Sequence, residues 1–180
     1  MGSASSKTEL IGGVEKRAIA IVDYDPTWPA KFEMHRNIII KSLVGTALQI
    51  EHIGSTSVPG LAAKPIIDIL VVVDDSGDEV AYLPQLNAIG YVLRVREPDW
   101  NEHRMFRTHE KDVQVHVYSA GCEEIKRYLT FRDRLRTNVE DRRRYEQRKR
   151  ELERLAGYGR LCRRQVESDR GHHHGGAGRR

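Results

Sequence analysis

Residues 66–73, IIDILVVV, constrain this chain more tightly than any other stretch. A short run rich in β-branched side chains, bounded by turn residues, reads as a buried strand. Pro65 precedes it and Asp74-Asp75-Ser76-Gly77 closes it. The run carries one acid, Asp68. A buried carboxylate is costly unless something pairs with it, so the fold must supply a reason for Asp68.

The residues before the run suggest one. Gly54-Ser55-Thr56-Ser57 is a small-residue loop, followed by Pro59-Gly60 and Lys64. Gly54 opens backbone conformations closed to other residues, and successive N–H groups beside Ser and Thr hydroxyls form concavities that hold phosphates. A phosphate cradle beside a strand-borne acid is the layout of a metal–nucleotide site, since Mg²⁺ is bound by one or two carboxylates plus a substrate's phosphates. On this reading Gly54, Ser55, Thr56 and Ser57 hold phosphate, Asp68 is the catalytic and metal-holding group, and Lys64 neutralises charge. A plainer reading makes the loop a turn and Asp68 a cap on neighbouring backbone.

The rest of the chain predicts an α+β domain. Phe32, His35, Ile39, Leu43 and Leu48 follow roughly helical spacing after Pro29, a favoured first helical position. Residues 18–22, 48–53, 91–96, 104–108 and 113–118 read as further strands, the last three as antiparallel hairpins. Residues 78–88 read as a helix interrupted or ended near Pro84. Residues 123–137 and 141–155 form a C-terminal helical pair, with Asn138 and Asp141 spaced as in a capping box. His52 reads either as a ligand contact, pointing with Gly54, or as a satisfied structural histidine. Arg104 and Arg107 offer guanidinium forks suited to phosphate, but they occupy opposite faces of one strand, so at most one faces a ligand. The expected organisation is a flexible N-terminus over 1–15, a domain over 16–157 and an atypical, disordered tail over 158–180.

Composition narrows the partners. With 39% hydrophobic and 31% charged residues the chain is globular in character, and no apolar run reaches the length of a membrane span. Two cysteines make neither a disulfide framework nor a metal-ligand pair, which predicts a cytoplasmic protein with no membrane partner. The formal net charge of +4 equals that of residues 160–180 alone, where six Arg face Glu167 and Asp169. Residues 1–159 are balanced, so no nucleic-acid partner is expected. Oligomeric state is open.

Four segments carry a resemblance. VDYDPTWPAKFE, IEHIGSTSVPGLAAKPIIDILV, FRTHEKDVQVHVYS and YLTFRDRLRTN, in that order, resemble the GrpB family, also called UPF0157. Ile53-Gly54-Ser55, twelve residues, then Asp68-Ile69-Leu70-Val71 is similar to the signature of the nucleotidyltransferase-like superfamily. The resemblance implies a nucleotidyltransferase-like mixed sheet with flanking helices, and transfer of a nucleotidyl group to a small molecule. It also puts His116 on the ligand side, where the superfamily carries its third acid. One departure matters: the superfamily's second acid falls at Leu70, which favours an alternative reading as a nucleotide- or coenzyme A-related accessory module. GrpB domains fused to dephospho-coenzyme A kinases suggest the same direction, although this chain lacks the P-loop G-x-x-x-x-G-K-[ST]. The tail also departs from the family pattern. Codons for Cys162-Arg163-Arg164-Gln165 read one base later can spell Ala-Asp-Ala-Lys, as expected of a frameshift, and resequencing the gene tests this.

Overall fold

A computed structural model describes residues 8–15 and 20–171, with side chains to residue 155. The elements run β1 (Glu9–Leu10), α1 (Trp28–Ser42), β2 (Gln49–Ile53), β3 (Ile67–Val73), α2 (Leu83–Ala88), β4 (Val92–Glu97), β5 (His103–Arg107), β6 (Val113–Ser119), α3 (Glu123–Thr137) and α4 (Val139–Gly171). One six-stranded sheet has the order β1-β4-β5-β6-β3-β2. Its β3–β6 pairing is parallel and the others are antiparallel, so the architecture is α+β with a mixed sheet.

The alternation along β3 divides the molecule. Ile67, Ile69, Val71 and Val73 face a core closed by Trp28, Phe32, Ile39 and Leu43 of α1 and by Leu86 and Tyr91. Asp68, Leu70 and Val72 face the other way. There α3 covers only part of the sheet, burying Ile53, Leu70, Val72 and Tyr118 against Ile125, Tyr128 and Leu129. Asp68 lies beyond that cover, at the end of the strand where the cleft opens.

The helix expected over 78–88 is divided in two. A single 3₁₀ turn, Glu79–Ala81, precedes α2, and Pro84 falls in the first turn of that helix, where its missing N–H costs little. The expected strand over 18–22 reduces to a bridge between Val22 and Ala63, residues 16–19 lying outside the described residues. Within the N-terminus expected to be flexible, Glu9 and Leu10 pair with Arg96 and Val95 and cover the β4 edge, while residues 1–7 lie outside the described residues.

Asn138 caps α4 through its side-chain oxygen, which accepts the Asp141 N–H at 2.9 Å. This helix has little apolar surface, and polar bonds to backbone fasten it. Lys149 Nζ donates to Ala62 O at 3.0 Å, and Glu153 Oε1 accepts the Ile21 N–H at 2.8 Å. The helix continues to Gly171, beyond the point where the sequence predicts a tail, and residues 172–180 lie outside the described residues. No helix among the described residues is long and apolar enough to cross a membrane.

Candidate functional site

The turn after β2 is built around Asp68. Gly54 has φ 70°, a region L-residues rarely adopt, and a Cβ on it would lie 2.5 Å from Asp68 Oδ2. The carboxylate is seated against the bare glycine, and only glycine allows that approach. Ser55–Ser57 then form a 3₁₀ turn. Two of its hydroxyls are used by backbone: Ser57 Oγ donates to Gly54 O at 2.5 Å within the turn, and Thr56 Oγ1 donates to Ile66 O, just before β3, at 3.0 Å. Ser57 and Thr56 therefore shape the loop, and Ser55 lines the cleft.

The cleft has a volume of about 210 Å³ and is lined by Ser55, Thr56, Lys64, Ile66, Asp68, Gln114 and Lys149. Lys149 was not legible in sequence as a site residue. It comes from α4, more than eighty residues after Asp68, and the bond from its ammonium to Ala62 O carries it over the cleft. Burial pushes its ammonium down to about 8, opposed by the carboxylates of Glu146 and Asp68. A run of Arg, Lys and Glu with no spacing signal distinguishes no single cation.

His116 is brought to Asp68, its Nε2 lying 3.5 Å from Asp68 Oδ1. Register explains this, since His116 pairs with Leu70 and Gln114 with Asp68 across parallel strands, all on one face. The two arginines are not brought in. Arg104 is buried on the opposite face, where its Nε donates to Glu79 Oε1 at 2.5 Å and Nη1 to Glu102 O. Arg107 shares the face of Asp68 but is two strands away and paired with Glu15 at 2.7 Å. His52 is structural: it stacks on Phe32 with centroids 4.6 Å apart, and burial holds its imidazole down at about 4.

Two of the acids that could complete a metal centre are engaged elsewhere. Glu51 pairs with Arg132 at 2.8 Å, and Asp112 with Lys31 at 2.5 Å. Leu70 is fully buried beneath α3, so its position is part of the core. Among the described residues no three His, Cys, Asp or Glu side chains gather to hold a metal ion. Asp68 turns one oxygen to Gly54 and the other to His116. The donor set does not fit a two-carboxylate Mg²⁺ centre.

Sequence missed two further residues. His103 Nε2 lies 3.1 Å from His116 Nδ1, and His103 Nδ1 lies 2.7 Å from Glu97 Oε2. Burial pushes the His103 imidazole down to about 4, although Glu97 opposes this. The one available signal was alternation, which places His103, Met105 and Arg107 on the same face.

A family model described as GrpB protein matches residues 18–162. A UPF0157 protein of Halalkalibacterium halodurans is 54% identical over 135 residues, covering 75% of this chain and 69% of that protein. One from Streptomyces coelicolor is 51% identical over 144 residues, covering 80% and 75%. A crystal structure of conserved protein GrpB from Enterococcus faecalis superposes with a TM-score of 0.66 at 34% identity, covering 76% of this chain and 84% of that one. A dephospho-CoA kinase of Mycolicibacterium paratuberculosis is 32% identical over 81 residues, which are 43% of this chain and 20% of that protein.

Proposed function

The chain belongs to the GrpB family, and on that premise we propose that its cleft binds the phosphate end of a nucleotide or another phosphate-containing small molecule. The observation that carries this reading is the meeting of Lys64 and Lys149 with Ser55 around a single carboxylate. Two lysines and one carboxylate line the cleft, a lining that favours an anion, and the partial burial of Lys149 strengthens the attraction. At about 210 Å³ the cleft is smaller than the usual pocket for a drug-sized ligand, so it takes a phosphate group while the rest of the ligand lies outside. Lys149 would contact the phosphate through the N–H groups that Ala62 O does not use, and Asp68 would orient a polar group next to it.

Binding is the first reading and nucleotidyl transfer the second. Leu70 in the core and the engagement of Glu51 and Asp112 favour binding. What favours transfer is His116 beside Asp68, because an acceptor hydroxyl or amine needs a base. The dephospho-CoA kinase relative directs attention to coenzyme A as well as nucleotides.

A thermal-shift panel of ATP, GTP, CTP, UTP and coenzyme A, with and without Mg²⁺, tests the reading on the unaltered chain, Asp68→Asn and Lys149→Ala. A ligand at about a hundred times its dissociation constant adds roughly 2.7 kcal/mol, which is several degrees for a domain of this size. The expected result is a shift that survives without Mg²⁺ and is lost in Lys149→Ala. If no compound shifts the unaltered chain, the phosphate reading is wrong. Pyrophosphate release from any nucleotide in the panel would promote the second reading.

A further inference from the structure

Glu97, His103, His116 and Asp68 form one connected line from the β4 edge to the cleft, and the hydrogen positions along it are set from the Glu97 end. A carboxylate only accepts, so at 2.7 Å His103 Nδ1 donates to Glu97. Desolvation keeps the His103 ring neutral at pH 7, with that proton its only one. Its Nε2 is then an acceptor, and the 3.1 Å contact requires His116 Nδ1 to donate. The two ring planes are 12° apart with centroids 5.3 Å apart, a spacing that places the two nitrogens between the rings. Tyr118 stacks on His103 at 4.8 Å and Trp100 meets it edge-on at 5.7 Å, so the ring that directs the line is held in place.

With the His116 proton on Nδ1, the Nε2 lone pair is directed to Asp68, 3.5 Å from its Oδ1. That separation exceeds a good hydrogen bond, and both atoms are acceptors. Two acceptors facing each other are unfavourable until a donor enters between them. Tyr128 of α3 lies beside the His116 ring with centroids 6.3 Å apart, and the ammonium of Lys149 lines the same cleft as Asp68.

We propose that Asp68 and His116 together form a subsite for a hydroxyl or amine group next to the phosphate of the ligand, with Glu97 and His103 as positioning residues that keep His116 Nε2 an acceptor. The proposal rests on the phosphate reading above and narrows it to hydroxyalkyl and aminoalkyl phosphates. A protonated amine would give one hydrogen bond to each acceptor and a hydroxyl its single hydrogen bond to one of them, with the phosphate lying toward Lys64 and Lys149.

Two compounds of nearly equal size test this on the full chain: phosphoethanolamine and ethyl phosphate, compared by calorimetric titration at pH 8. Hydrogen bonds to Asp68 and His116 together predict about tenfold tighter binding of phosphoethanolamine. His116→Leu should lower that preference to the part that Asp68 supplies. Glu97→Lys is the sharper variant. A lysine can only donate to His103 Nδ1, which reverses both imidazoles and turns His116 Nε2 into a donor. The preference should then vanish, and ¹⁵N spectra should show the proton moved from Nδ1 to Nε2 of His116. Should that variant fail to fold, Glu97→Ala removes the acceptor that sets the direction. Equal binding of the two compounds overturns the proposal, as does a preference undiminished in His116→Leu, or a proton on His116 Nε2 in the free chain at pH 8. If neither compound binds, the phosphate reading fails, and the ¹⁵N assignment still decides which nitrogen faces Asp68.

Discussion

The two faces of β3 differ in what they demand of the chain. On the face toward α1, Ile67, Ile69, Val71 and Val73 are fully buried among aliphatic and aromatic neighbours, and what matters there is volume. On the other face, Leu70 and Val72 lie beneath α3 while Asp68, two residues before Leu70, lies beyond that cover. One strand thus contributes a packed core and a polar cleft, separated by the thickness of the sheet. Packing on the first face makes the second rigid enough to hold the carboxylate against Gly54.

The strongest break in this contrast is to place charge where the superfamily carries its second acid. Leu70→Asp buries a carboxylate under α3 beside Glu51, which already holds Arg132, and it should cost more than about 4 kcal/mol or prevent folding. Circular dichroism on heating checks this, and a stable variant that binds Mg²⁺ would show the position to be a vacated metal site after all. Next in size, Ile69→Ala on the core face should lower stability by about 3 kcal/mol in urea unfolding, with phosphate binding by the folded fraction unchanged.

Gly54→Ala sharpens the comparison at its margin. The added methyl meets Asp68 Oδ2 and the backbone is held at positive φ, so a loss of about 2 kcal/mol is expected. In an Asp68→Gly background the steric part should disappear and only the backbone cost of about 1 kcal/mol should remain, as a double-mutant cycle would measure.

Acid tests both faces at once, because His52 packs behind the sheet and His103 before it, each with its pKa lowered to about 4 by burial. For a base whose pKa is lower in the folded state, the unfolded chain binds more protons, so stability rises with pH. The loss should begin near the unfolded value of about 6.5 and continue to about 4, reaching roughly 1–2 kcal/mol per histidine by pH 5. Urea midpoints at pH 7.5 and pH 5 check this, and His52→Gln should remove about half of the difference. Smallest of all, Asp68→Asn should change stability by less than about 0.5 kcal/mol, since the acid is about a quarter exposed and stands 3.5 Å from His116. A much larger loss would make Asp68 a structural cap.

Much of the fold was legible because it depends on local pattern. The β-branched run of β3, the spacing of Phe32 and Ile39 along α1, and the cap at Asn138 each follow from a few neighbouring residues. Part of the site was legible for the same reason: Gly54, Ser55, Lys64 and Asp68 stand within fifteen residues of one another, and their meeting needs only one turn and one strand. Arg104 was the limit of that reasoning, since its guanidinium is drawn to Glu79 by a contact that no strand pattern announces.

Sequence alone therefore determined the family, the α+β class and the glycine-and-acid pair at the head of the cleft, because those features are encoded at short range. Tertiary structure decided which cations and imidazoles stand around Asp68. Lys149 arrives on a helix fastened by bonds to a distant loop, and Glu97 and His103 reach His116 through the register of three strands. Such meetings depend on how elements dock, and docking is settled by the sum of many weak contacts over the whole chain.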